Sequence, residues 1–262
     1  MPAINDLVDA DHEGLGNAWV FAFHANDSPG TPPKPEYVCT VTVAESVVRK
    51  ALNGMLGATL RLEENVQKLA AACFTVPSFP KLHPPPRIPS RKTGSRGDRE
   101  RVDIAIHDSK AAILPPARAA IELKISEVAS GLRADLARNQ QLMQLSRPGR
   151  SNQLDVAALG FVVVDNKSIG VGTGTPVLKA LAKKYQRMAA SFLSPSYVTE
   201  VSVRQMSAPP EDEHDEFVHM ISVVITFSRP PATSSAGSQH AVRFWSTSFD
   251  CSEVRVTGVD LP

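Results

Sequence analysis

The chain reads as an α/β protein, a mixed central sheet flanked by helices, with an added β-rich C-terminal extension. Three observations predict this. Arg101–Ile106 and Ala120–Ile125 alternate apolar and polar residues with the period of two that a half-buried strand requires. Val156–Val164 is an apolar run suited to a strand covered on both faces. Stretches with helical spacing of apolar residues precede and follow the two alternating segments. With 262 residues and 42% hydrophobic content, the chain can bury a sizeable core. The expected organisation is an N-terminal extension over 1–40, the core over 41–194, and the β-rich extension over 195–262 packed on that core.

Taken in order, a helix is expected over Glu45–Leu56, with Val48, Leu52 and Leu56 on one stripe and Val47, Ala51 and Met55 beside it. Gly54 and Gly57 weaken its end. A second helical stretch is expected over Thr59–Cys73, carrying Leu62, Val66, Leu69 and Cys73. The segment 77–100 contains Pro77, Pro80, Pro84, Pro85, Pro86 and Pro89, which exclude a regular helix. From 81 to 101 it carries Lys81, Arg87, Arg91, Lys92, Arg96, Arg99 and Arg101 against Asp98 and Glu100. It reads as a basic loop entering the first alternating strand, either an arm for phosphate or a solvated linker. Pro115-Pro116 marks the connection to the second.

After that strand, Ser130 suits an N-cap for a helix to about Leu145, with Leu132, Leu136, Asn139 and Met143 in register. Gly170–Pro176 resembles a phosphate loop but lacks the Gly-Lys-Ser/Thr ending. A turn explains it better, with Thr175 as N-cap and Pro176 at the first position of a helix to Phe192. Tyr197–Met206 and Phe217–Phe227 suggest a hairpin across the acidic run 211–216, and a final strand is expected near Val242–Phe249.

Asp103 lies on the polar face of the first strand, and Glu122 and Lys124 on that of the second. Two carboxylates and an ammonium on adjacent strands suit a hard divalent cation and a water beside a phosphate. The bland alternative is an exposed ion pair of little energetic worth. An Asp on one strand and Glu-x-Lys on the next resembles the restriction-endonuclease-like, or PD-(D/E)XK, superfamily, although Arg101-Val102 replaces the adjacent Pro. That superfamily's core runs helix, strand, strand, strand, helix, strand, and the segments here follow that order.

The resemblance implies a metal-dependent nuclease that hydrolyses phosphodiester bonds, in DNA. Its cofactor would be Mg2+, with Mn2+ as a substitute, held by Asp103, Glu122 and the backbone carbonyl of Leu123. Lys124 would orient or help deprotonate the attacking water. These residues are expected to face a site and not the core. Many members add a glutamate from the first helix; Glu45 is the candidate and Glu63 its competitor, and each also reads as a solvated glutamate. Arg133 and Gln140, or Gln141 in its place, on the following helix would steady nucleic acid, joined by Arg91, Lys92, Arg96, Arg99 and Arg101. The glutamines lack the tyrosine four residues on that marks the exonuclease branch. That helix face reads equally well as an exposed polar surface with an Asp135–Arg138 pair.

The net charge of +1 gives no global bias towards nucleic acid. Cys39, Cys73 and Cys251 match neither a disulfide framework nor a zinc pattern, as suits a reducing cytosol. No signal peptide or membrane-spanning run is visible, so a cytoplasmic protein is expected, with a homo-oligomer or partner protein allowed. The alternative is an inactive nuclease-fold module that binds nucleic acid or protein in a larger assembly, such as a defence or mobile-element complex. A third reading is an unrelated α/β interaction protein with a chance Glu-x-Lys.

Overall fold

Residues 3–26, 35–53, 57–74, 100–108, 115–125, 128–145, 152–165, 175–206, 219–229, 243–250 and 253–260 are described by a computed structural model. They form a mixed α/β fold. Helices α1 (Ile4–Asn26) and α2 (Pro35–Lys50) come first, then strand β1 (Ala58–Asn65), the short helix α3 (Val66–Ala72) and strands β2 (Arg101–Asp108) and β3 (Ala117–Lys124). Helix α4 (Ala129–Gln144), strand β4 (Val156–Asp165) and helix α5 (Thr175–Ala189) follow, and a 3-10 turn closes α5 at Ala190–Phe192. The remaining strands are β5 (Val198–Met206), β6 (His219–Ser228), β7 (Arg243–Asp250) and β8 (Glu253–Asp260).

All eight described strands share one sheet, in the order β1-β2-β3-β4-β6-β5-β8-β7. β1, β2 and β3 are antiparallel neighbours; β3 and β4 are parallel, with α4 as the crossover between them. The later strands continue antiparallel from β4.

Alternation along the strands divides the core. Ile104, Ile106, Ile121 and Leu123 pack with Leu7, Leu15, Val43 and Val47 of α1 and α2. Ala105, Ala120, Leu159 and Phe161 pack with Leu69, Leu132, Leu136, Leu178 and Tyr185 on the other side. The apolar run of β4 feeds both, which explains its lack of alternation. Helices α1 and α2 approach so closely that a Cβ on Gly14 would stand 2.3 Å from the Val43 Cα. Any side chain at 14 would force them apart.

Three expectations change. Thr59–Cys73 is not one helix: it is strand β1 followed by α3, with Asn65 between them accepting hydrogen bonds from the N–H groups of Gln67 and Lys68. Leu62, Val66, Leu69 and Cys73 mimic helical spacing, but an N-cap residue in mid-run was the signal of a boundary. The helix placed at Glu45–Leu56 begins ten residues earlier, at Pro35. Its buried stripe includes Val43, Val47 and Ala51, while Val48 is exposed; Met55 and Leu56 lie outside the described residues. Helix α4 begins with Val128 at its N-cap and no side-chain cap, so Ser130 lies inside it.

Candidate functional site

The ladder between β2 and β3 ends with Ile104 paired to Ile121, and Asp103 and Glu122 are the next residues beyond that last pair. At that end a side chain enters the pairing. The Leu123 N–H donates to Asp103 Oδ2 at 2.6 Å, so a carboxylate accepts where a strand carbonyl ordinarily would. Leu123 itself pairs with Gly160 of β4, and its side chain is buried towards α1 and α2. Asp103 is half-buried, and its pKa is pushed up to about 6, chiefly by burial. The Leu123 hydrogen bond and Lys124 oppose that rise; Glu63 and Glu36 add to it.

Glu122 does not sit at an open mouth. It is 1% exposed and bound by the guanidinium of Arg138 from α4, itself 4% exposed. Arg138 also lies 3.4 Å from Asp135 Oδ1 and 3.8 Å from Glu100 Oε2. Lys124 Nζ is 3.8 Å from Asp135 Oδ2 and 3.8 Å from Glu36 Oε1 at the start of α2. Asp135 and Arg138 therefore are not the exposed helical pair expected of α4. Both lie on its buried side, since Asp135 immediately precedes Leu136 and Arg138 precedes Asn139 in the Leu132–Leu136–Asn139 stripe. That adjacency was the available signal. The expectation that Glu122 faces a site and not the core is corrected for the same reason.

The other residues singled out fall as follows. Glu45 is exposed on α2. Glu63 is on β1, not on a helix, and its charge reaches Asp103. Its backbone is left-handed, with φ 53°. The β1–β2 register passes from Leu62↔Ile104 to Glu64↔Val102 without it. Left-handed backbone is uncommon for glutamate and marks a local irregularity in this edge strand. Arg101 is exposed, 4.0 Å from Glu63; Arg133 is exposed on α4; Gln140 donates to the Phe192 carbonyl at 3.4 Å. Arg91, Lys92, Arg96 and Arg99 lie outside the described residues.

The cluster has the right chemistry for a hard cation. Its donors are carboxylate and carbonyl oxygens. Among the described residues, Glu36, Glu63, Glu100, Asp103, Glu122 and Asp135 lie around Arg101, Lys124 and Arg138, so the cluster is rich in carboxylates. Among the described residues, no three His, Cys, Asp or Glu side chains converge tightly enough for an all-protein cage. Magnesium is ordinarily held by one or two carboxylates with water and substrate phosphate completing its shell, so such a cage is not required. Cys39, on α2 beside the cluster, has its thiol pushed up to about 11 by burial, with Glu36 and Asp103 adding to the rise. That makes it a poor nucleophile at neutral pH.

Comparison with protein-family models, with curated proteins and with solved structures finds no match. No described helix is long and apolar enough to cross a membrane.

Proposed function

We propose that the chain is a divalent-cation-dependent nuclease, cleaving phosphodiester bonds in DNA, of the restriction-endonuclease-like kind. One observation carries the reading. Asp103 and Glu122-Leu123-Lys124 meet at the end of the β2–β3 ladder, where the Asp103 carboxylate takes the Leu123 N–H within a carboxylate-rich cluster. The order α2, β1, β2, β3, α4, β4, interrupted by the short helix α3 between β1 and β2, with β3 parallel to β4, supports it.

Asp103, Glu122 and the Leu123 carbonyl would hold the ion. A bound divalent cation lowers the pKa of its water and offsets charge on a phosphoryl oxygen. Lys124 presents its ammonium to the same place, held between Asp135 and Glu36 and able to stabilise charge that grows during phosphate attack. Asp103 must be ionised to serve, and burial delays that until about pH 6.

The test is cleavage of labelled single-stranded DNA, duplex DNA and RNA in Mg2+ or Mn2+ by the wild-type chain and by Asp103→Asn, Glu122→Gln and Lys124→Ala. Loss in all three, with the fold retained, supports the reading. Undiminished cleavage in all three overturns it. Glu122→Gln replaces the harsher alanine because alanine would leave buried Arg138 without its nearest partner.

A second reading has one observation in its favour. Arg138 neutralises Glu122 in a buried ion pair, as expected of a nuclease fold that binds nucleic acid or protein without cleaving. Absence of calorimetric Mn2+ binding alongside retained nucleic-acid binding selects it.

A further inference from the structure

Arg138 is the unusual member of the cluster. A guanidinium stays charged at any pH at which the protein folds, so it cannot leave Glu122 by losing a proton. It must leave by moving. Three features make that move feasible. Glu100 Oε2 at 3.8 Å and Asp135 Oδ1 at 3.4 Å stand beside it, so giving up Glu122 does not strand a buried cation. Among the described residues its Nε has no hydrogen-bond partner, so the donor fork is not fully used. Among the described residues, three carboxylates, Glu100, Glu122 and Asp135, lie within 4.0 Å of this one guanidinium, so an added positive charge enters carboxylate-rich surroundings.

Resting on the reading that Asp103 and Glu122 hold a divalent cation, we propose that Arg138 gates the site. Without the ion it holds Glu122; on cation entry it passes to Glu100 and Asp135 and releases Glu122 as a ligand. Arg138 is thus a positioning residue that competes with the ion for one carboxylate. The pair it forms is a cost that every binding event must overcome, so the wild-type site binds more weakly than its ligand set allows. Glu100 is the receiving carboxylate. It helps the loaded state and adds little to the empty one.

The gate predicts opposite signs for two substitutions, a pattern that a merely structural Arg138 does not produce. Mn2+ binding to the full chain is measured by calorimetry and by the electron paramagnetic resonance signal of free Mn2+, neither of which depends on turnover. Arg138→Gln should tighten Mn2+ binding by roughly tenfold or more, within the usual range of coupling between two sites. Glu100→Gln should weaken it severalfold, and Asp103→Asn should abolish it in both backgrounds. Wild-type binding with neither variant changed, or with Arg138→Gln weaker, overturns the gate and leaves the nuclease reading standing. No binding by wild-type chain or variant overturns the metal reading and the gate with it. Should Arg138→Gln not fold, Arg138→Lys, which keeps the charge but loses the fork, takes its place beside Glu100→Gln. It should bind Mn2+ more tightly than wild type, and unchanged affinity in both variants counts against the gate.

Discussion

Two buried polar networks lie at opposite halves of the same sheet, and they are built differently. One is the Asp103–Glu122–Arg138 cluster at the end of β2 and β3. The other pins α1 to β5, β6 and β8. There, fully buried His12 stands between Ser222 Oγ at 2.6 Å and Ser202 Oγ at 2.8 Å. Ser202 gives its proton to Glu253, so His12 donates its Nε2–H to Ser202, while the Ser222 hydroxyl lies between His12 Nδ1 at 2.6 Å and the Arg204 carbonyl at 3.3 Å. Glu253 takes Arg204 at 2.8 Å and also Arg255, and both arginines reach Asp9.

This second network is closed mostly by direct hydrogen bonds of 3.2 Å or less. The first is held by one tight carboxylate–guanidinium pair, one backbone bond, one long hydrogen bond of 3.4 Å from Arg138 to Asp135, and charged contacts of 3.8 to 4.0 Å. Contacts that long are attraction without a hydrogen bond. Burial of polar groups alone therefore does not mark a site. Carboxylates gathered in loose geometry, beside backbone that a side chain interrupts, are the better sign.

The largest effect that could break this contrast is on the proposed cleavage. Lys124→Ala should reduce cleavage by about 100-fold or more, the scale for losing a preorganised charge. Ser202→Ala should leave cleavage per folded molecule unchanged. Equal losses in both, after correction for folded fraction by circular dichroism, would erase the distinction.

The next effect lies in the other network. His12→Leu leaves the Ser202 and Ser222 hydroxyls short of a buried partner and should cost about 2–4 kcal/mol in urea unfolding. Burial, with Arg204 acting in the same direction, pushes the His12 pKa down to about 3, while Glu253 opposes it and Arg255 adds to it. An unfolded chain takes up that proton near pH 6.5, before the folded one does. Stability is therefore complete above about pH 6.5 and falls as pH drops towards 3, by at most about 1.4 kcal/mol per pH unit. His12→Leu should flatten this acid limb, although Glu64, whose carboxyl His107 and Arg61 hold below its usual range despite burial, still contributes at lower pH. An unchanged slope in the variant would remove His12 from the account.

Legibility in the sequence followed the range of the interactions. β2, β3 and β4 were readable because period-two alternation and a doubly apolar run are local properties, and α5 was readable from Thr175-Pro176. β1 was not, because edge-strand Leu60 and Leu62 share a segment with the helix-spaced Val66 and Leu69. β8 gave little signal: Val254 and Val256 alternate for too short a stretch to stand out. In the candidate site, the placement of Asp103, Glu122 and Lys124 near one end of β2 and β3 is legible from a pattern along two strands. The part played by Arg138 is not, because it depends on how α4 is rotated against the sheet. The partners of His12 lie 210 and 190 residues away, beyond the reach of any local pattern.

Asp103→Asn should act on stability in the opposite direction to His12→Leu. With a folded pKa of about 6 against a usual value near 3.8, the folded chain holds the proton more tightly than the unfolded one. The contribution of Asp103 is thus fully present below about pH 4 and is lost as pH rises through 6. Asparagine can still accept the Leu123 N–H but carries no charge to desolvate. After discounting for its partial exposure, the gain should be on the order of 1 kcal/mol at pH 8, vanishing by pH 4. A loss of stability at pH 8 would make Asp103 a structural residue like those around His12.

The smallest effect separates charge from backbone at Glu63. Its left-handed conformation carries a steric cost that glycine avoids and alanine retains, while either substitution removes the carboxylate that pushes Asp103 upward. Glu63→Gly should therefore be more stable than Glu63→Ala by about 1 kcal/mol at any pH. Glu63→Ala against wild type should differ chiefly above pH 6, where Asp103 is ionised. If glycine and alanine unfold at the same urea concentration, position 63 stores no strain, and the irregularity in β1 matters to the site only through its charge.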